Sequence, residues 1–594
     1  MTIPLEEPRD PWSPRPIDLP TAVPLAGPLD GLDTGKILAA PDDPVDWPAW
    51  RDALRRWRSE AAARIDYDGS AYARPEFAWT RGCFAVALVW LWDEHLYDHA
   101  AGCFTPERFC EESEREFGGF DGVVLWHAYP VIGIDERNQF DLYRDVPGLR
   151  GLVDAFHARD VRVFANYNPW DIGTRREPVD DEEATARLVR ELDVDGVFLD
   201  TMKEARPGLR AAVDAVRPGV AFEGESTLPL ERICDHHLSW AQWFGDSTVP
   251  GVLRARWFEQ RHMLHHTRRW NRDHVEELHS AWLNGVGMLV WENVFGAWVG
   301  WSERDKALLR AMLPVQRRYA GLLARGEWTP LAAASPDARV VASRWTDGET
   351  TLWALANRGD AYVGAVGELA VELPARGIAA VVGSEQVMVA GGGDASFPAR
   401  ETVRVPTPVV RVESVPEGFA AVEPRPLTAV FRRRETGTYG DAPYVGEWKP
   451  LPPRLHDLVE VERPAPRGRF AISVREATDA AGAPLTCLDL AEARAYAASV
   501  DARLPTEDEW QLAAEAGLLE RAEPLVWNWT ESEHSDGRTR FAILKGGSSW
   551  VAEGSDWYVD GGPREPCYSL KLLLLGAGLA RSARIGFRLA VDLP

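Results

Sequence analysis

The sequence predicts a multidomain α/β and β protein, built from a (β/α)8 TIM barrel, a small β-sandwich and a separate C-terminal domain. Strand-like and helix-like segments alternate about eight times over roughly 250 residues, which is the size and order of such a barrel. Short apolar runs separated by Gly and Asp turns follow, as in a sandwich. At 594 residues the chain is also too long for one hydrophobic core. We place the units at 1–70, 71–326, 327–415 and 416–594.

The first unit, 1–70, is predicted to be an irregular lead-in followed by a helix. Pro and Asp are frequent up to about residue 45, and this composition is typical of loops. From Asp46 to Arg64, apolar residues recur at helical spacing, which predicts an amphipathic helix. These residues are Trp47, Trp50, Leu54 and Trp57.

The barrel prediction for 71–326 rests on the order of its predicted strands and helices. The predicted strands span 84–93, 122–129, 161–168, 195–200, 219–225, 238–243, 262–266 and 287–292. The predicted helices span 105–117, 147–159, 180–192, 207–216, 273–284 and 302–323. An open doubly wound sheet is the alternative. It needs a Gly-rich phosphate turn after the first strand, and Trp92-Asp93-Glu94-His95 is not one.

Composition limits the classes of partner. The formal net charge is −25, because 66 Lys and Arg stand against 91 Asp and Glu, and this argues against nucleic acid and anionic membranes. The 26 Trp suit stacking on sugar rings as well as core packing. The six Cys show no CxxC spacing, which favours reduced thiols in a cytoplasmic protein. We also expect no signal peptide and no membrane span, since no long uncharged apolar run is present.

Polar and aromatic residues cluster at the predicted strand ends, which meet at one mouth of a barrel. Several of these residues are acids, and their carboxyl groups can accept hydrogen bonds from a sugar ring, which carries many hydroxyl groups. We therefore expect an oligosaccharide or glycoside substrate. The predicted substrate-binding residues are Asp93, Trp126, His127, Tyr129, Asn166, Asn168, Trp170, Lys203, Asp246, Trp291 and Glu292. No HxH or HExxH pattern has ligand spacing, so we predict no metal and no other cofactor.

Glycoside hydrolysis needs two carboxyl groups, one on each side of the scissile bond. Asp200, at the end of strand four, is the predicted nucleophile, and Lys203 could help to keep it ionised. A Glu at the end of strand five is the predicted acid. Glu223 and Glu225 alternate onto the same strand face, so parity cannot choose between them. We favour Glu223 and keep Asp246 and Glu292 as reserves.

At these residues the chain resembles barrel glycoside hydrolases of the α-amylase and α-galactosidase kinds. The resemblance lies in Asp195-Gly-Val-Phe-Leu-Asp200-Thr-Met-Lys203 and in Phe222-Glu223-Gly-Glu225. It implies an Asp nucleophile after strand four and, for the α-amylase kind, a Glu acid after strand five. The α-amylase pattern has Arg where this chain has Phe198, and its Asn-His-Asp signature after strand seven is missing. Retention or inversion, exo or endo action, and the sugar all remain open.

The end of the chain resembles the formylglycine-generating enzyme (sulfatase-modifying factor) domain. Four motifs carry this likeness: Ala502 to Ala514, Val526 to Thr530, Leu544 to Trp550 and Arg584 to Ala590. It implies a C-type-lectin-like fold, with Thr506 and Glu509 forming a capping box.

Catalytic members of that family carry two nearby Cys that bind copper, whereas this chain has Cys567 alone there. We therefore predict a non-catalytic C-terminal domain. The alternatives are a protein-modifying oxidase of the formylglycine-generating kind, or a catalytically dead glycan-binding scaffold. The sequence leaves the oligomeric state open.

Overall fold

The computed structural model describes residues 19–128, 131–242, 246–267, 273–294, 296–398, 401–432, 458–466, 468–553, 559 and 561–594. Tyr129, one of the predicted substrate-binding residues, lies outside these ranges. Within them, no helix is both long enough and apolar enough to cross a lipid bilayer.

Eight parallel strands close into a barrel, so the barrel prediction is confirmed and the open sheet is excluded. The strands are β1 (Ala85–Trp90), β2 (Gly122–Trp126), β3 (Arg162–Tyr167), β4 (Gly196–Leu199), β5 (Ala221–Gly224), β6 (Leu238–Gln242), β7 (Met263–Thr267) and β8 (Gly287–Val290). They pair in chain order, and β8 closes the ring by placing Met288 opposite Ala85. Because every pair is parallel, the eight carboxyl ends open onto one mouth.

Helices surround the barrel and follow most of its strands. They are Pro106–Phe117, Gln139–Arg144, Leu149–His157, Asp181–Leu192, Leu209–Val216, Arg254–Phe258, Val275–Asn284, Glu303–Arg318 and Ala320–Arg325. Each predicted helix is present within a few residues. Gln139–Arg144 was not predicted, because its start depends on a capping box between Asn138 and Asp141 in a loop of the mouth.

Inside the barrel, side chains of alternate strands meet in layers. With a usual stagger of about eight residues around the ring, a residue's register partner on the next strand lies about one residue lower along the barrel axis. Glu223 is the register partner of Phe198, so Glu223 lies below Phe198 and Glu225 lies above it. Phe198 stacks on Trp240 of β6 with ring centroids 4.1 Å apart. Depth in the barrel therefore separates two glutamates that share one strand face.

The N-terminal helix spans Trp47–Arg64 and packs Trp50, Leu54 and Trp57 into the core. Before it, Thr21–Ala22 and Ile37–Ala39 form a three-stranded sheet with Val252–Leu253 from the barrel.

A five-stranded antiparallel sheet follows the barrel. Its strands are Glu327–Ala334, Val340–Thr346, Thr351–Asn357, Ile378–Val382 and Glu385–Ala390. A hairpin of Tyr362–Val366 and Leu369–Leu373 shares its apolar core, which includes Val340, Leu355, Val371 and Ala379.

Among its described residues, the C-terminal domain has two larger sheets, a two-stranded sheet of Gly547–Ser548 and Gly562–Pro563, and two helices. The larger sheet contains Val403–Arg404, Leu427–Arg432, Leu458–Arg463, Trp527–Ser535, Arg540–Lys545, Tyr568–Leu573 and Ile585–Phe587. The smaller contains Phe419–Val422, Phe470–Ser473 and Ala590–Asp592. The helices span Leu490–Ser499 and Glu507–Glu515, and the second begins with the predicted Thr506–Glu509 capping box. The predicted boundary at 416 remains a prediction, but Val403–Arg404 already pairs with this domain.

Candidate functional site

Asp200 and Glu225 follow adjacent strands at the barrel mouth. Asp200 follows β4 directly, and its backbone N–H donates to the Tyr167 carbonyl over 2.9 Å. The next residue, Thr201, turns the chain with a φ of 60°, and its N–H donates to the carboxylate of Glu225. Both acids are largely buried, Asp200 being 9% exposed. The carboxylate of Glu225 is therefore bound to the residue that follows Asp200.

Glu223 lies deeper in the barrel than Glu225, below Phe198, and its choice as the acid remains a prediction. It is completely buried and pairs with Nδ1 of His265 on β7. Nε2 of His265 donates to the Cys83 carbonyl over 2.8 Å, and Cys83 precedes β1 at the opposite end of the barrel. Burial lowers the pKa of His265, but Glu223 outweighs that effect, so the pKa is raised above its ordinary value. Glu223 thus belongs to a buried ion pair.

Asn166 presents an unsatisfied amide inside the mouth. It is the register partner of Phe198 and faces the barrel interior, in the same layer as Glu225. Its side chain is buried, yet neither Oδ1 nor Nδ2 has a hydrogen-bond partner among the described residues. Asn168, two residues on, uses Oδ1 to accept the N–H of Trp170 over 2.8 Å, while its Nδ2 is also unpartnered there. Buried amides of this kind usually have partners, so this arrangement suits a polar ligand.

Aromatic side chains line this part of the mouth. Trp126 and Trp291, at the ends of β2 and β8, lie in edge contact with ring centroids 5.8 Å apart. Trp170 lies at the rim with 38% of its surface exposed, and its indole N–H donates to the Thr201 hydroxyl over 2.5 Å. Lys203 is exposed, and its role in keeping Asp200 ionised remains a prediction.

Asp93 and Glu292 lie on the other side of the mouth and pair with a residue that no sequence pattern predicts. Nε of Arg538, from the C-terminal domain, is 3.0 Å from both carboxylate oxygens of Asp93. Nη1 of the same guanidinium is 3.5 Å from Oε2 of Glu292. Arg538 and Asp93 are 445 residues apart in sequence, so no local pattern could have connected them.

Two other predicted substrate-binding residues do not face the mouth. His127 stacks on Tyr143 behind β2, and its Nε2 donates to the Gln139 carbonyl over 2.8 Å. Burial lowers the pKa of His127 to about 3. Asp246 has a fully buried side chain and lies 3.4 Å from Arg358 of the five-stranded sheet. These contacts are with neighbouring protein groups, and the predicted roles of both residues in substrate binding remain predictions.

No group of three or more His, Cys, Asp or Glu side chains in the described part of the chain could hold a metal ion.

Comparison with known proteins identifies part of the C-terminal domain. Residues 454–524 match the family model described as a Sulfatase-modifying factor enzyme 1-like domain. The C-terminal domain carries a sulfatase-modifying factor segment. No curated protein matches the chain.

Solved structures similar to the N-terminal half include three sugar-acting proteins. A cyclic alpha-maltosyl-(1→6)-maltose hydrolase from Arthrobacter globiformis, complexed with maltose, is 12% identical, with 51% of this chain and 99% of that chain covered and a TM-score of 0.37. A Nostoc punctiforme debranching enzyme is 10% identical, with 53% of this chain and 99% of that chain covered and a TM-score of 0.35. An alpha-amylase from Geobacillus thermoleovorans, complexed with acarbose, is 10% identical, with 52% of this chain and 98% of that chain covered and a TM-score of 0.32.

Proposed function

We propose that the protein is a glycoside hydrolase whose catalytic carboxyl groups are Asp200 and Glu225 at the barrel mouth. The observation that carries the proposal is the hydrogen bond from Thr201 N–H to Glu225, which sets the carboxylate of β5 beside the turn that begins at Asp200. Two carboxyl groups at adjacent strand ends are what glycoside hydrolysis needs. Glu225 takes the role of acid that the sequence favoured for Glu223.

In this proposal Asp200 acts on the anomeric carbon, as nucleophile or through an activated water molecule. Glu225 protonates the leaving oxygen as the glycosidic bond breaks. Asn166 supplies an amide that can donate to and accept from sugar hydroxyls, and its missing protein partners favour that role. Trp170 offers an exposed, hydrogen-bonded ring on which a sugar can stack.

The substrate class in this proposal is an oligosaccharide or glycoside. The C-terminal domain is proposed to be non-catalytic, because Cys567 is the only Cys after residue 487 and a copper-binding pair needs two. We keep its C-type-lectin-like fold and a cytoplasmic location as parts of the proposal.

The experiment is turnover of aryl α- and β-glycosides and oligosaccharides by the full chain and by Asp200→Asn. Asp214→Asn is the matched control, because Asp214 lies on the outer helix Leu209–Val216 and pairs with Arg74. We expect at least one substrate to be turned over by the wild type and the control but not by Asp200→Asn. Equal activity in all three proteins would refute the role of Asp200, and binding without turnover would favour a glycan-binding scaffold.

A further inference from the structure

The C-terminal domain inserts a hairpin turn at the barrel mouth. The hairpin consists of Trp527–Ser535 and Arg540–Lys545, and its turn carries Arg538. Glu94 N–H, just after β1, donates to the Arg538 carbonyl over 2.9 Å. Asn293, just after β8, donates from Nδ2 to the Thr539 hydroxyl over 2.5 Å. The turn is therefore bound to the strand ends on both sides of the point where the barrel closes.

The guanidinium of Arg538 lies between two carboxylates. It contacts both oxygens of Asp93 and one oxygen of Glu292, and its side chain is only 11% exposed. Burial alone would lower the pKa of Arg538, but attraction by Asp93 and Glu292 raises it. Without this cation, two acids at neighbouring strand ends would repel each other.

These contacts leave capacity for a ligand. An ionised carboxylate has about four lone-pair sites. Besides Arg538, the Asp93 carboxylate accepts the His95 N–H at 2.9 Å, and Asp93 is fully buried. A cavity of about 160 Å³ is lined by Glu292, Arg538, Trp298 and Lys306, together with residues of the outer helix Pro106–Phe117. Glu292 and Arg538 therefore border open space, whereas Asp93 does not.

We propose that Arg538 is a positioning residue of the barrel site. Anchored by the buried Asp93, it holds Glu292 in place to accept hydrogen bonds from sugar hydroxyls, so the binding site is assembled from two domains. This inference rests on the proposed hydrolase function and deepens it by giving the C-terminal domain a role in substrate binding. The opposite reading, in which the hairpin obstructs the site and Arg538 is inhibitory, predicts a rise in activity when Arg538 is removed.

The test compares Arg538→Gln, Arg538→Lys and Asp93→Asn/Arg538→Gln in the full chain. Arg540→Gln is the matched control, because Arg540 lies in the same hairpin and contacts Glu533 and Glu94 but neither Asp93 nor Glu292. We expect Arg538→Gln to raise KM about tenfold with kcat changed less than about threefold, since the lost contacts serve substrate binding. Arg538→Lys should recover part of this loss because it keeps the charge without the forked geometry.

A double variant separates positioning from simple loss of stability. The Asp93→Asn/Arg538→Gln variant removes the repulsion between Asp93 and Glu292 and should show a lower KM than Arg538→Gln. An unchanged KM in Arg538→Gln, or a gain in activity, would overturn the proposal.

Hydrogen exchange of the same variants, followed by mass spectrometry, needs no substrate. If the wild type turns over no glycoside, the hydrolase function fails and exchange alone decides whether Arg538 orders the mouth. Faster exchange in 91–97 and 291–294 for Arg538→Gln, but not for Arg540→Gln, would support the ordering. Equal exchange in both variants would refute it.

Discussion

The backbone N–H of Thr201 donates a hydrogen bond to the carboxylate of Glu225, so the end of β5 is tied to the turn that follows Asp200. Glu223, two residues earlier on the same face, instead pairs with His265 in the barrel interior. The two glutamates therefore have separate roles, and substitution can distinguish them.

Replacing Glu225 by Gln removes the proposed acid. We expect hydrolysis of glycosides with poor leaving groups to fall at least about 100-fold. Activity on dinitrophenyl glycosides should fall much less, because that leaving group needs no protonation. The measurement is kcat/KM for both substrate types.

Glu223→Gln is the control for that experiment, since it makes the same chemical change two layers lower in the barrel. It leaves His265 without its buried partner, so we expect the free energy of unfolding to fall by about 3 kcal/mol while the folded protein keeps its activity. Loss of activity in Glu223→Gln, with full activity in Glu225→Gln, would reverse the assignment.

Replacing Asn166 by Leu should separate binding from stability. Leu has a similar size and leaves no unsatisfied amide in the interior, so we expect the free energy of unfolding to stay level or to rise by about 1 kcal/mol. Substrate affinity should fall, because the amide is proposed to bind sugar hydroxyls. Urea unfolding and KM give the two values, and a marked loss of stability with unchanged KM would assign Asn166 a purely structural role.

Replacing Trp170 by Ala should weaken substrate binding with little cost to the fold. The ring is exposed at the rim, so we expect a change in unfolding free energy of less than about 1 kcal/mol. KM should rise about tenfold, in line with the stacking area lost. Ile172→Ala is the control, because Ile172 is exposed in the same loop. Similar KM values in the two variants would argue against a stacking role.

Lys571 connects the two domains and makes stability depend on pH. Its Nζ donates to the Gly296 carbonyl over 2.8 Å, and burial lowers its pKa to about 7. An unfolded chain keeps a Lys pKa of about 10.4. Between these values the unfolded state binds a proton that the folded state does not, so Lys571 makes the free energy of unfolding rise with pH.

The measurement is urea unfolding of the wild type and of Lys571→Met at about pH 7 and about pH 9. The difference between the two proteins should shift in favour of the wild type by about 1.4 kcal/mol per pH unit. A difference that stays constant over this range would show that the Lys571 amine is charged in the folded protein.

The alternation of elements predicted the barrel because strands and helices are set by local periodicity. The same local periodicity also predicted that Asp200 and Glu225 lie at strand ends. It could not choose between Glu223 and Glu225, because their depth depends on the stagger of all eight strands. It also placed His127 at the mouth, although the side chain lies behind β2.

Long-range contacts explain the other differences between the sequence predictions and the structure. Asp246 follows β6 as a site residue should, but Arg358 of the next domain pairs with it. Arg538 stands in a polar turn with no recognisable motif, and its role depends on where two domains meet. Such contacts are made between elements far apart in the chain, and no pattern within one segment encodes them.

The most direct measurement is a crystal structure of Asp200→Asn with an oligosaccharide bound. The account predicts a glycosidic oxygen between residue 200 and Glu225, with one sugar ring against Trp170. It also predicts carboxyl positions about 5 Å apart for a retaining enzyme, or about 6.5–9.5 Å apart for an inverting one. A sugar bound away from both residues, or a separation well beyond about 10 Å, would contradict the two-carboxylate site.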